Sequence, residues 1–266
     1  MPTSMSTPRA ETHEAARLYQ QAPRPALRPF IRRFLVVEFD AQHHDTHLPD
    51  TSAVAAFSFR GGWRGDAGQV VPVSAFTGLR ETLRVHEHAQ GHAVLLAKFT
   101  PVGAAAFLRP PQEEFAGGTA DLAGVLARPA ELDELHQRLA GAPSHEWRVR
   151  LLEDFLLARM RAPAPDPLVA AAVAWLERGG GRIDQLARHV GLSQSALERR
   201  FRRVVGLSPK KFASLLRLGR ALRLRAGGAD PTAVAHGAGY FDQSHFIHDF
   251  RRVTGSAPEA WFRRGA

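Results

Sequence analysis

The 266-residue chain contains no cysteine, which excludes disulfide bonds, thiolate zinc sites and a cysteine nucleophile. It also lacks any apolar run close to the roughly 18 residues that a membrane helix needs, so we expect no membrane partner. The first 20 residues contain no apolar core of a secretory signal. We therefore predict a cytoplasmic protein whose residues 1–24 form a flexible tail. Its content of 44% hydrophobic and 23% charged residues is typical of globular proteins.

Acidic residues are scarce in the C-terminal part alone. Residues 168–266 carry 17 Lys and Arg against 7 Asp and Glu, whereas residues 1–167 carry 18 against 19. A basic excess confined to one part of a chain is typical of proteins that bind a polyanion, with an affinity that falls as salt rises. The alternative, an Arg-rich composition of the whole chain, would raise the net charge of both parts. The asymmetry therefore predicts a nucleic-acid partner.

Residues 25–162 begin with short β-rich runs separated by turn signals and end with two helical patterns. The runs predict an antiparallel sandwich or barrel; they are Phe34–Phe39, Ser52–Phe59, Val70–Phe76, Glu81–His88 and Ala93–Phe99. The helical patterns are Glu131–Leu139 and His145–Met160. The second pattern has an apolar stripe, which favours packing on the core of its own domain, with a dimer seam as the alternative. The stripe consists of Leu151, Leu152, Phe155, Leu156 and Met160.

Three prolines stand within the seven residues Arg161–Pro167, and proline interrupts helices and sheets alike. We therefore predict a linker at 163–167, between a domain at 25–162 and a second domain at 168–266. Beyond Pro167 every pattern is helical, and about seven helices are expected. The predicted fold class is α+β and multidomain: a β-rich N-terminal sandwich or barrel with trailing helices, then an all-α C-terminal domain.

The C-terminal domain contains nearly the same phrase twice. FRRVVGLSPKKF occupies Phe201–Phe212, and FRRVTGSAPEAW occupies Phe250–Trp261, 49 residues later. The correspondence extends upstream, where Ser193 and Asp242 both suit the N-cap of a helix. Each copy contains a helix, a glycine turn, a capped helix, an aromatic anchor and a proline stop. That order is typical of a helix-turn-helix unit.

The second helix of each unit exposes polar side chains once its apolar face is buried. Gly191 and Gly239 suit the tight turn before it, and Phe201 and Phe250 are expected to face inward. Amide and guanidinium groups on an exposed helix suit the major groove of DNA, where they pair with base edges. One copy alone could be a plain helical hairpin, but two copies on a basic domain favour DNA. The predicted DNA-binding residues are Gln194, Ser195, Glu198, Arg199 and Arg202, and in the second copy Gln243, Ser244, Ile247, His248, Arg251 and Arg252.

On these motifs, residues 168–262 resemble the AraC/XylS family of bacterial transcription regulators. The matching segments are RIDQLARHVGLSQSALERRFRRVVGLSPKKF, RLGRALRL and GYFDQSHFIHDFRRVTGSAP. The resemblance implies recognition helices at Ser193–Val204 and Asp242–Val253, held apart by a helix near Phe212–Ala226. It also implies activation or repression of transcription, with RNA polymerase as a partner. Ile247 and His248 stand where the family usually has Ser or Thr and Arg, so Ile247 offers only apolar contact, for instance to a thymine methyl.

Residues 25–126 resemble the N-terminal domains attached to some of these regulators. The segments LRPFIRRFLVVEF, HLPD and AKFTPVGAAAFL carry this second resemblance. Related sensor domains are cupin-like β-barrels that bind a small effector and dimerise. The resemblance therefore implies a small-molecule effector and a homodimer formed through the N-terminal domain. The double-stranded DNA operator is expected to be asymmetric, because the two units follow one another in the same chain direction.

Six histidines near predicted strand ends support a different hypothesis, an enzyme whose cupin-like, metal-dependent N-terminal domain is tethered to nucleic acid by the helical domain. They are His43, His44, His47, His86, His88 and His92. No glutamate completes a convincing ligand spacing, and solvated loop histidines are the ordinary interpretation. Residues 1–167 also bring together no nucleophile and base. We therefore predict no metal site, no cofactor and no catalytic residue, and favour a DNA-binding regulator that is not an enzyme.

Overall fold

The computed structural model describes residues 9–13, 16–162 and 164–264, in which two antiparallel sheets precede nine α-helices. The large sheet has the strand order β1-β2-β3-β9-β5-β7-β10 and the small sheet the order β4-β8-β6. The strands are β1 (Arg9–His13), β2 (Ala16–Gln21), β3 (Ile31–Phe39), β4 (His43–His47), β5 (Val54–Arg60), β6 (Trp63–Arg64), β7 (Ser74–Thr77), β8 (Arg84–His88), β9 (Ala93–Phe99) and β10 (Thr119–Asp121). The predicted α+β class, with its β-rich N-terminal part and helical C-terminal part, is confirmed.

Successive side chains of a strand point to opposite faces of its sheet. The central strands of the large sheet carry apolar residues at successive positions, so both faces of this sheet are apolar. In β9, Leu95 and Ala97 belong to the main core, whereas Val94 and Leu96 face the small sheet. Trp63 of the small sheet packs in the same cluster as Val94. The two sheets therefore face each other and form a sandwich, and the opposite face of the large sheet carries the main core.

Two helices cover that opposite face, α1 (Pro129–Ala140) and α2 (His145–Leu157). Leu139, Leu152 and Leu156 are fully buried against the sheet residues of the main core. The apolar stripe of α2 thus packs on the core of its own domain, which confirms the first of its two interpretations. Glu153 on the same helix is also buried, and its Oε2 pairs with Arg24 Nε at 2.6 Å.

The C-terminal part consists of helices joined by short turns. They are α3 (Pro167–Glu177), α4 (Ile183–His189), α5 (Gln194–Val205), α6 (Pro209–Ala226), α7 (Pro231–Ala238), α8 (Gln243–Thr254) and α9 (Pro258–Arg264). Ser193 Oγ accepts a hydrogen bond from the Ala196 amide, and Asp242 Oδ1 accepts one from the His245 amide. Both predicted N-caps are therefore confirmed. None of the helices in the described ranges has the length and apolar character needed to cross a membrane.

The predicted tail at residues 1–24 is wrong where the structure describes it. Its first eight residues lie outside the described ranges, but β1 and β2 continue the large sheet, and β2 pairs with β3 along its full length. Both strands are rich in polar residues, so hydrophobic alternation did not reveal them. The sequence also missed β4, β6 and β10, and the run Val70–Phe76 becomes a strand only from Ser74.

The main apolar core continues from the N-terminal part into the first helix-turn-helix unit. Leu197 and Phe201 of α5 belong to the same buried cluster as the sheet and α2, and α5 packs against the 3-10 turns Ala104–Ala106 and Gln112–Phe115. The second unit has a separate small core around Phe246 and Phe250. The first unit is therefore anchored on the N-terminal part, and α6 connects it to the second.

Candidate functional site

Both copies of the repeated phrase form the same turn between two helices. Gly191 and Gly239 have φ angles of +70° and +86°, a region that glycine adopts without strain. After each turn, an amide bonds back to the buried alanine of the first helix: Leu192 N to Ala187 O at 3.0 Å, and Tyr240 N to Ala235 O at 2.9 Å. The two copies of the sequence repeat thus have the same backbone hydrogen bond after the turn.

The aromatic anchors also correspond. In the first unit, Phe201 packs edge-to-face on Phe212, with ring centroids 5.6 Å apart. In the second, Phe250 packs edge-to-face on Trp261 at 6.2 Å. Each contact ties the second helix of a unit to the helix that follows it. The outer faces of α5 and α8 are left for a partner.

The structure places the eleven predicted DNA-binding residues on two helices, five on α5 and six on α8. Three of them are half-buried, namely Glu198, Arg202 and Ile247. The other eight are exposed: Gln194, Ser195, Arg199, Gln243, Ser244, His248, Arg251 and Arg252. Ile247 packs partly on the second small core, so only part of its side chain is available for the predicted apolar contact.

The arginines on these two helices differ in whether they form ion pairs within the protein. Arg202 pairs with Glu198 one turn earlier, with NH2 2.7 Å from Oε1. In the described ranges, neither Arg199 nor Arg251 has an ion-pair partner. These two exposed side chains therefore have no ion pair in those ranges that an anionic partner would have to break.

Arg252 instead belongs to a hydrogen-bond network around the buried Asp249 carboxylate. Its NH2 lies 2.7 Å from Asp249 Oδ1, while the Tyr240 hydroxyl and Ser214 Oγ donate to Asp249 Oδ2 at 3.1 and 3.0 Å. Burial raises the pKa of Asp249, but the hydrogen bonds from Arg252 and Ser214 outweigh burial, and the net pKa is lowered. Burial and the Asp249 charge raise the pKa of Tyr240. The network connects α6, the turn after α7, and α8.

A cleft of 560 Å³ separates the two units and is lined by several cations. Arg202 and Arg252 were predicted, whereas Lys210, Lys211 and Arg217 of α6 were not. The signal that could have revealed them is the pair of lysines directly after the Pro209 helix start. That helix was interpreted as a spacer, so its side chains were not considered.

An acidic residue of the N-terminal part reaches into this cleft. Glu81 lies in the loop between β7 and β8, and its Oε1 is 2.6 Å from Lys211 Nζ. Its Oε2 lies 3.8 Å from Arg252 NH1. Two residues later, the Leu83 amide donates to the Val253 carbonyl at 3.2 Å. The loop thus bridges the N-terminal part to α6 and α8.

A second cavity, of 410 Å³, lies between the two sheets of the N-terminal part. Its walls are mostly apolar, but Asp45, His86 and His88 meet on one side. Burial lowers the pKa of His86 to about 3, with the nearby His47 as the next cause. Burial raises the pKa of Asp45, but the hydrogen bond from His47 and the attraction of His88 outweigh it, so this pKa is well below its usual range. The interpretation as solvated loop histidines is wrong for His88 and His92, which are 5% and 0% exposed.

Two family models match the chain. Residues 186–264 match a family described as "Helix-turn-helix domain", and residues 19–121 match one described as "Domain of unknown function (DUF6597)". The first match covers both units described above. The second covers most strands of the sandwich.

The chain is also similar to curated proteins and to solved structures. An AraC-like transcription regulator of Streptomyces antibioticus is 30% identical over 56% of this chain and 55% of its own length, and the arabinose operon regulatory protein of Escherichia coli K12 is 33% identical over 47% and 46%. The chain thus spans about half the length of the curated relatives it matches. Among solved structures, ToxT from Vibrio cholerae covers 86% of this chain and 96% of its own (9% identity, TM-score 0.46). The AdpA DNA-binding domain in complex with a target DNA covers 36% and 89% (30% identity, TM-score 0.34). Residues 186–264 thus match a helix-turn-helix family, and the chain is similar to AraC-like transcription regulators over about half of its length.

Proposed function

We propose that this protein is a sequence-specific, DNA-binding transcription regulator that places α5 and α8 in two successive major grooves. The observation that carries the proposal is the duplicated unit: a glycine turn, a capped helix and an aromatic anchor, twice on a strongly basic domain. A recognition helix in the major groove is the usual way in which such a unit binds DNA. The names of its curated relatives support the same function.

Within this proposal, base recognition falls to exposed residues in the N-terminal halves of the two helices. Gln194 and Arg199 on α5 have the bidentate groups that pair with adenine and guanine edges. Gln243 supplies the corresponding amide on α8. Arg251 is exposed and contacts the phosphate backbone, which positions the protein without carrying sequence information.

The N-terminal part supplies control in this proposal. The cavity between the sheets is large enough for a small effector, and we propose that its occupancy is coupled to DNA binding. A homodimer through this part and contact with RNA polymerase complete the proposed regulator. Such a protein acts in the cytoplasm, where it associates with the nucleoid. We propose residues 163–167 as the boundary between the two parts.

Selection from random duplexes with the full-length protein tests the proposal. We expect enrichment of an asymmetric motif with two contacted segments about 10 base pairs apart. Gel shifts with the enriched duplex, against the same base composition in scrambled order, then give the specificity ratio. Equal affinity for both duplexes would mean that the protein binds DNA only as a polyanion.

A further inference from the structure

The small sheet aligns three potential metal ligands on one face. Asp45 of β4 stands directly opposite His86 of β8 in the antiparallel register, and His88 follows two positions later. Residues two apart on a strand share a face. That face is turned toward the cavity between the sheets, which all three residues line.

The ligand atoms lie at distances suited to one small cation. Asp45 Oδ1 is 3.7 Å from His86 Nδ1 and 3.4 Å from His88 Nε2. One atom from each of the three residues lies within 4.8 Å of the other two. A tetrahedral zinc ion, with bonds of about 2.0–2.1 Å, places its ligand atoms about 3.4 Å apart. Small side-chain shifts would therefore complete the coordination.

Two of these atoms are buried without a hydrogen-bond partner in the described ranges. They are Asp45 Oδ1 and His88 Nε2, which face each other without hydrogen-bond geometry. Buried polar atoms in folded proteins are nearly always satisfied, because an unpaired one is costly. A cation between these two atoms would satisfy both at once.

The ring of His88 is held in place by a hydrogen bond at Nδ1, on the side away from Asp45, and by aromatic stacking. Its Nδ1 lies 2.9 Å from His92 Nδ1, and His92 Nε2 lies 3.1 Å from Ser58 Oγ. When His92 donates to Ser58 and His88 donates to His92, the lone pair of His88 Nε2 points at Asp45. Phe39 stacks on the same ring at 3.9 Å. A fixed ring with a hydrogen bond at its far nitrogen is typical of histidines that bind metals.

We propose that Asp45, His86 and His88 form a binding site for a divalent transition-metal ion, with zinc as the ion that fits the donors best. Two imidazoles and a carboxylate suit zinc and its neighbours rather than magnesium or calcium. His47 Nε2 lies 3.0 Å from the other carboxylate oxygen, Asp45 Oδ2, so the three ligands leave a fourth position to water. When a small molecule occupies the cavity, its oxygen or nitrogen takes that position instead.

The sequence contained this site in two short alternations. RVHEH places two ligands two residues apart, and HHDTH places Asp45 between two histidines at the same spacing. Asp45 was not among the candidate ligands, because the polar segment His43–His47 was not predicted as a strand. The metal site does not depend on the proposed DNA binding, and either can fail without the other.

Metal analysis of the full-length protein tests the site. After chelation and dialysis, the protein is titrated with Zn²⁺, and with Co²⁺ for its visible absorption bands. We expect one ion per chain and an increase in Tm. Asp45→Asn and His86→Gln preserve side-chain size, and each should weaken Zn²⁺ affinity at least tenfold while the Tm of the apo-protein stays within a few degrees. His44→Gln is the matched control, since His44 is an exposed histidine of the same strand, on its other face.

Two outcomes would overturn the proposal. One is that the wild-type protein takes up no Zn²⁺ or Co²⁺ at micromolar concentrations. The other is that His44→Gln lowers affinity as much as the two ligand variants, since the metal would then be bound elsewhere among the 13 histidines. If one ligand variant fails to fold, the other still decides between these results.

Discussion

Arg199 and Arg200 are neighbours on α5, but their guanidinium groups have different surroundings. Arg200 Nε lies 2.7 Å from Asp166 Oδ2, at the start of α3, so this side chain is directed toward the protein. Arg199 is exposed and has no ion-pair partner in the described ranges. Substituting each arginine in turn therefore separates the effect of lost positive charge on DNA binding from the effect of the position of that charge.

We expect Arg199→Ala to weaken binding to the selected duplex by about 1–3 kcal/mol and to relax the preference at one or two base pairs. Arg200→Ala removes the same charge from the same helix and should leave the sequence preference intact. Competition gel shifts with single-base variants of the duplex measure both. If the two variants lose affinity equally for specific and scrambled DNA, Arg199 does not contact bases.

Asp249 supports the second unit from within, since it accepts hydrogen bonds from three different elements. We expect Asp249→Asn to destabilise this unit by about 2 kcal/mol, because bonds to a charged acceptor contribute more than neutral ones. Ser214→Ala removes a single donor and should cost about 1 kcal/mol. Denaturant-dependent hydrogen exchange of α8 amides, compared with α5 amides, measures both losses. Equal losses in α5 and α8 would contradict a local role.

The same network predicts a dependence on pH. The pKa of Asp249 is lowered in the folded protein, so its stabilising contribution is present above the ordinary carboxyl pKa of 3.8 and is lost as pH falls through the lowered value. Wild-type α8 should therefore lose more stability than the Asn variant as the pH drops below about 4. Parallel pH profiles of the two proteins would contradict this assignment.

At the scale of elements, the helices were predictable because their signals are local. Ser193, Asp242 and Pro209 mark helix starts within a few residues, and the second copy of the phrase repeats the evidence of the first. The strands were predictable only where apolar residues alternate, as in β9. The small sheet is polar and aromatic, and its pairing partners lie some 40 residues apart. That pairing, and with it the cluster at Asp45, could not be deduced from one segment at a time.

α6 sets the distance between the two recognition helices. It is 18 residues long and so extends about 27 Å, which approaches the roughly 34 Å of one DNA turn. Ser208 caps its start through the Lys211 amide, and Phe212, Leu215 and Leu218 are buried along it. A packed, capped helix fixes the spacing of the units.

The operator should therefore tolerate little change in spacing. Inserting about 5 base pairs between the two contacted segments turns the second one onto the opposite face of the duplex. Binding should fall toward that of one unit, and an insertion of about 10 base pairs should not restore it, because α6 cannot lengthen. A gel-shift series over these insertions measures the effect. Unchanged affinity at the half-turn spacing would show that only one unit contacts DNA.

At the scale of the whole molecule, the two units are not equivalent. The first shares its core with the N-terminal part, whereas the second contacts that part through the Glu81 loop. Lys211 and Arg252, the partners of Glu81, line the cleft between the recognition helices. In the proposed complex, a DNA phosphate would compete with the Glu81 carboxylate for these two cations. Ion pairs of Glu81 therefore connect the N-terminal part directly to the helix-turn-helix part.

We expect Glu81→Gln to bind the selected duplex up to about fivefold more tightly, because the phosphates no longer compete with an ion pair that contributes about 0.2–1 kcal/mol. Glu87→Gln is the control: it removes the same charge from the adjacent strand β8, where Glu87 accepts a hydrogen bond from Gln42 instead. Fluorescence anisotropy at one fixed salt concentration compares the three proteins. Equal gains in affinity in both variants would show that the effect comes from net charge alone. A loss of affinity in Glu81→Gln would mean that the loop holds α8 in its binding position.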